Sequence, residues 1–194
     1  MKTLPKNCMT KTNKNIKITD DGKLSTSELL AKCKEKFDVH CYWTDEVLDK
    51  NFPPPKKKTT RHFKKQMNSD MLNKSYDEME KEGVKNITIR ERIIMELSYF
   101  EETKNHLDIV GGTITSSRYG DYVASADWHP DNRKFKVDAY DRHWRYPDYG
   151  GREAISLKPS PLVEFDAKNH EDRIKDLEKF RDSMIGVLDK LRNE

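Results

Sequence analysis

The clearest hydrophobic periodicity in the chain runs from Ile89 to Phe100. Ile89, Ile93, Ile94, Leu97 and Phe100 recur at three- and four-residue intervals, the spacing that puts them on one face of a helix. Thr88 and Glu91 form a capping box at its start, each side chain satisfying the other residue's free amide. Glu96, Glu101 and Glu102 are expected on the opposite, solvated face, with the helix ending near Asn105. A second amphipathic helix is expected over 27–38, capped by Ser25 or Thr26, with Leu29, Leu30, Cys33 and Phe37 as its stripe. Val39 to Trp43 reads as a short strand, and Thr44 caps a further helical turn through Lys50. Residues 59–82 read as a polar helix with a thin stripe (Phe63, Met67, Met71, Leu72, Met79) closed by Gly83. Asn169–Leu191 reads as a long amphipathic helix through Ile174, Leu177, Phe180, Met184, Leu188 and Leu191.

Between residues 107 and 156 the period falls from about 3.6 to 2. Ala124, Ala126 and Trp128 alternate with polar residues, and so do Phe135, Val137 and Ala139 beyond the turn at Pro130–Arg133. Placing both apolar sets on one face sets the register: Trp128 opposes Phe135, Ala126 opposes Val137 and Ala124 opposes Ala139. The other face then pairs His129 with Lys134, Asp127 with Lys136 and Ser125 with Asp138. An earlier strand at about 112–118 places Ile114 beside Ala126. The expected fold is α+β, a three-stranded antiparallel β-meander packed against the amphipathic helix, with flanking N- and C-terminal helices. Residues 1–22 read as a flexible basic arm and 23–83 as a helical basic region with a proline linker. Residues 84–158 form the α/β meander core and 159–194 the C-terminal helix.

Charge adds what patterning leaves out. The 194-residue chain has a net charge of +3, but residues 1–65 carry +8 and residues 66–194 carry -5. Lys50, Lys56, Lys57, Lys58, Arg61, Lys64 and Lys65 form a run without an acid, entered through Pro53-Pro54-Pro55. Such a run favours polyanion binding through counterion release. No apolar stretch suits a membrane span or a secretory signal, and three irregularly spaced cysteines (Cys8, Cys33, Cys41) suit a reducing compartment. A cytoplasmic protein without membrane contact is expected. Cys33, His40 and Cys41 lack the spacing of a zinc site and read as packing residues.

Candidate chemistry crowds between Arg118 and Arg152. No phosphate-binding loop, dinucleotide fingerprint, zinc-protease motif or serine-nucleophile elbow is present, and no cofactor or metal is implied. His143-Trp144-Arg145-Tyr146 alternates cations with rings, which suits unpaired bases. His129 and His143, with Arg118 and Arg145, also supply the parts of a metal-independent ribonuclease: a base, an acid and cations for the developing phosphorane. The same residues equally describe a hairpin end and a salt-bridged loop. Asp121, Asp127, Asp138 and Asp141 offer Mg²⁺ ligands, but the register turns Asp127 toward Lys136.

Ile89-Arg90-Glu91-Arg92, Glu96-Leu97-Ser98-Tyr99-Phe100, His106-Leu107-Asp108, Ser117-Arg118-Tyr119, Trp128 and Arg152-Glu153-Ala154-Ile155-Ser156 together resemble small proteins carried by phages and plasmids of Gram-positive bacteria. Some proteins of that kind are type II anti-CRISPRs. The resemblance covers about a third of the chain and departs at Tyr122, where a glycine would follow the acidic residue of the first β-turn. It implies a mobile-element accessory protein in the host bacterial cytoplasm that inhibits a nucleic-acid defence machine, Cas9 with its guide RNA. The alternatives are a ribonuclease cutting that guide and a helix-mediated interaction module without nucleic-acid contact. For nucleic-acid contact the candidates are Lys56, Lys57, Lys58, Arg61, Lys64, Lys65, Trp144 and Arg145; for catalysis, His129, His143, Arg118 and Arg145.

Overall fold

The computed structural model describes residues 15–156 and the isolated helical positions Lys175 and Glu178. Both the first part of the expected basic arm and the expected helix over 169–191, apart from those two positions, lie outside the described residues. One unit ends at Ser156 and a second begins at Leu157. The first unit is α+β. Its elements run β1 (Asn15–Asp20), α1 (Thr26–Lys34), β2 (Val39–Cys41), α2 (Asp45–Asn51), β3 (Thr59–Lys64), β4 (Met71–Leu72), α3 (Tyr76–Lys81), α4 (Ile89–Thr103), β5 (Gly112–Tyr119), β6 (Tyr122–His129), β7 (Lys134–Asp141) and β8 (Tyr149–Gly151).

Capping chemistry starts three of the four helices. Ser25, Ser75 and Thr88 each form a reciprocal capping box with the glutamate three residues on, which occupies amides that the helix cannot satisfy itself. Ile89, Ile93, Leu29, Leu30, Cys33, Leu48, Phe135, Val137, Ala124 and Ala126 form the largest buried cluster, so α1, α2 and α4 cover one face of the sheet.

The antiparallel order β5–β6–β7 stands at the centre of a larger mixed sheet, β2-β7-β6-β5-β8-β4. β2 joins β7 in parallel, β8 joins β5 in parallel and β4 joins β8 antiparallel. The three-stranded meander is therefore too small a description: short strands far away in sequence extend it on both sides. The β6–β7 register agrees with the apolar pattern at every pair, from His129 opposite Lys134 to Ala124 opposite Ala139.

The β5 register differs from expectation. Thr113, not Ile114, opposes Ala126. Ile114 turns to the other face, where it meets Tyr76, Met79, Val123 and Tyr140 in a second core beneath α3. Choosing the most apolar residue for the helix-covered face fails because both faces are covered. Thr113 and Thr115 take the α4 side instead, their hydroxyls donating to Asp108 Oδ2 at 2.6 Å and to the Ala124 carbonyl at 2.6 Å. A bulge between Ile114 and Arg118 then shifts the remaining pairs, bringing Ser116 and Ser117 to the head of α4.

Two further expectations are overturned. Residues 59–82 are not one helix but β3, β4 and the short α3. Part of the expected flexible arm is β1, paired antiparallel with β3 from Asn15–Lys64 to Asp20–Thr59. The thin stripe of residues 59–82 is the signature of this outcome: too few apolar positions recur at helical spacing to hold 24 residues. Phe63 instead meets Ile18, Ile87, Met95 and Leu107 in a third buried cluster.

Candidate nucleic-acid interface

Four of the six charged side chains of α4 are buried: Arg90, Glu91, Arg92 and Glu96. Arg92 and Glu96 are fully buried and joined at 2.8 Å. Arg92 also binds Asp108, with Nε 3.0 Å from Oδ2. Asp108 Oδ1 accepts from Arg152 Nη2 at 2.7 Å, and Arg152 Nε donates to Thr113 Oγ1 at 3.0 Å. His106 Nδ1 lies 2.8 Å from Glu96 Oε1. Glu96 thus does not face solvent as expected. Its position carries the signal: it stands three residues after Ile93 and seven after Ile89, on the apolar stripe itself.

At the N-terminal end of α4 a cleft of about 350 Å³ opens, lined in part by Arg61, Arg90, Arg118, Thr88, Pro53 and Pro55. Arg90 is one wall. Its guanidinium is held bidentate by Asp20 at 2.7 and 2.9 Å, and it also donates to Thr26 Oγ1 and the Leu24 carbonyl. Arg61 is equally committed, donating to Glu91 Oε2 at 2.9 Å and to the carbonyls of Lys85 and Asn86. Arg118 is freer, its nearest carboxylate oxygen being that of Glu80 at 3.7 Å. Gly22 lets the proline run approach this wall: at φ +71°, a side chain's Cβ there would stand 2.6 Å from the Pro55 carbonyl oxygen. Lys56, Lys57 and Lys58 follow directly, exposed, on the segment leading into β3.

The structure thereby unites Arg61 of the basic run with Arg118 of the β region. It separates the rest. Lys64 pairs with Asp70 at 2.9 Å, a contact that raises its pKa, and Lys65 pairs with Glu102. Lys56–Lys58 have no ion pair among the described residues.

The histidine constellation is not assembled. His129 opposes Lys134 at one end of the β6–β7 hairpin, whereas Tyr122 opposes Asp141 at the other. His143 lies two residues beyond Asp141. Seven residue-to-residue steps separate the ends, roughly 23 Å at 3.3 Å per residue, too far for an acid and a base to share one phosphate. Each member has a local partner. His129 Nδ1 accepts from the Asn132 amide at 3.4 Å. His143 Nδ1 is 2.5 Å from Asp77, which also binds Arg142, and Arg145 binds Glu78. Desolvation opposes the charge of Asp77, but Arg142 and His143 outweigh it and hold its carboxyl below the usual range. The Asp141–Arg145 stretch is therefore tied down by the acids of α3. Trp144, within that stretch, stays exposed.

The acidic residues do not gather as metal ligands; among the described residues no cluster of three His, Cys, Asp or Glu side chains suits a metal ion. Asp127 is buried against Lys136 and accepts from the Tyr149 hydroxyl at 3.3 Å. Burial dominates there and pushes its pKa up to about 6. Cys33 sits in the main core, where burial pushes its thiol up to about 12. No described helix is long and apolar enough to cross a membrane. Compared with known proteins, the chain matches no family model, no curated protein and no solved structure.

Proposed function

We propose that this protein is a mobile-element accessory protein that disables a host nucleic-acid machine, Cas9 with its guide RNA, by binding it rather than by cutting RNA. The target rests on the resemblance of the stretch from Thr88 to Ser156 to small phage- and plasmid-borne proteins, some of which are type II anti-CRISPRs. The observation that supports a binding mode is the exposed Lys56-Lys57-Lys58 run beside the cleft that Arg61, Arg90 and Arg118 line. Free lysines on a proline-stiffened segment neutralise phosphates without reading bases. Arg90 and Arg61 are already held by Asp20 and Glu91, so they shape the site, and the lysines with the freer Arg118 supply its attraction. The wide separation of His129 and His143 favours binding over strand cleavage.

The test is to incubate the protein with Cas9, guide RNA and a target duplex, then resolve DNA and RNA on denaturing gels. Loss of DNA cleavage with full-length guide is expected. Shortened guide would establish the ribonuclease instead, and unchanged DNA cleavage would sink the proposal. Replacing Lys56, Lys57 and Lys58 by Ala should weaken binding and reduce the slope of log K against log salt by about 2 to 3, near 0.7–0.9 per lost phosphate contact. Arg61 is left in place in that variant because its donors hold the β3 and α4 segments together.

A further inference from the structure

On the face of the sheet away from α4, a groove of about 440 Å³ is lined by Tyr140, Trp144, Tyr146, Tyr149, Asp138 and Asp148. Its four rings make a concave corner. Tyr140 and Tyr149 are near-parallel with centroids 5.3 Å apart, Tyr146 meets Tyr140 at 72°, and Trp144 meets Tyr146 at 86°. Trp144 and Tyr146 are 57% and 45% exposed, large apolar surfaces left open to solvent. Beneath them the Tyr140 hydroxyl is buried without a hydrogen-bond partner among the described residues.

The charged residues that line the groove, Asp138 and Asp148, have one sign, and Lys136 on the same face stands opposite Asp127. Asp148 has no cationic partner among the described residues, and Asp138 has only a 3.8 Å approach from His40. Gly111 secures Asp148: at φ +78°, a Cβ there would lie 1.8 Å from the Asp148 carbonyl oxygen, so only glycine lets the two chains meet. Elsewhere the protein fills ring faces with its own cations, as where Arg118 and Arg142 lie over Tyr76. No described cation lies over the rings of this groove, and the nearby Arg145 is held by Glu78.

We propose that this groove binds the guanidinium of an arginine side chain presented by a partner protein. Ring faces attract a cation, and a planar guanidinium can stack on one ring while forking a carboxylate. The carboxylates repel the phosphates of a nucleotide, so an arginine suits the groove better than a stacked base. The inference does not rest on the Cas9 reading, and it is tested on the protein alone.

The probe is Nα-acetyl-arginine amide, titrated into the full chain and followed by Trp144 fluorescence and calorimetry. Its neutral isostere Nα-acetyl-citrulline amide and adenosine monophosphate serve as comparisons on unaltered protein, where folding is not in question. Saturable binding of the arginine derivative, at least about fivefold tighter than the citrulline derivative, is expected. Asp148→Asn and Tyr146→Ala should each weaken it by about fivefold, while Tyr146→Phe, which keeps the ring, should not. Equal binding of the citrulline derivative would reduce the groove to an apolar surface and overturn the proposal. Preferential binding of the nucleotide, or no saturable binding by any probe, would overturn it as well.

Discussion

Two charged networks in this protein use the same residue types and do different work. Behind α4, Arg92, Glu96, Asp108 and Arg152 are almost completely shielded from water. Over α3, Asp77, Glu78 and Glu80 meet Arg118, Arg142, His143 and Arg145 with side chains 18–66% exposed. Inside, each ion loses several kcal/mol of solvation, which only complete pairing offsets. Outside, water competes for every contact and the typical pair contributes about 0–1 kcal/mol. The inner network therefore holds β5, β8 and α4 in one arrangement, whereas the outer one orients a surface stretch and neutralises cations that the sequence pattern offers as catalytic. Asp127 stands between the two cases. It is buried like Asp108 but has no arginine, only Lys136 across the strand pair and the Tyr149 hydroxyl.

The comparison is broken most directly at Asp108. Asp108→Ala should cost about 3–5 kcal/mol, because Arg92 and Arg152 both lose the carboxylate between them. Urea unfolding measures this. A loss below about 1 kcal/mol would place the inner network in the same energetic class as the outer one.

Asp127 sharpens the comparison through pH. Its folded-state pKa, near 6, lies above the ordinary aspartate value of 3.8, so between these values the folded state binds more protons than the unfolded state. Its contribution to stability therefore falls as pH rises through that window and is restored as pH drops. Asp127→Asn should be more stable than the parent at pH 7, by up to about 3 kcal/mol, with the difference fading as pH falls below about 4. Parallel stability–pH curves for the two proteins would show that burial does not penalise this carboxylate.

The smallest effect is expected on α3. Arg145→Ala should change unfolding free energy by less than about 1 kcal/mol, and 0.5 M salt should narrow the gap. A larger, salt-insensitive loss would mean that the α3 contacts are as structural as those behind α4.

The two networks also mark where the sequence becomes legible. Thr88 and Glu91, the helix cap at Ser25 or Thr26, the stripe from Ile89 to Ile93, and the alternation that pairs Trp128 with Phe135 are local relations, decided within one helical turn or one four-residue hairpin loop. Those readings agree with the structure because period and capping are properties of neighbouring residues. The inward turn of Glu96 was half-visible in its place on the apolar stripe, but its partner Arg92 could equally have formed an exposed i,i+4 pair.

What the chain by itself determined, then, is where α1 and α4 begin, the register of its central hairpin and its α+β class. Tertiary structure alone decided that Asn15–Asp20 pairs with Thr59–Lys64, that β2, β8 and β4 widen the sheet, and which charges are buried. Each of those outcomes joins residues far apart in sequence, as Arg152 joins Asp108 across 44 positions and Arg90 joins Asp20 across 70. A strand's edge and a buried ion are stable only when the distant partner arrives, and which partner that is leaves no mark in the residues on either side.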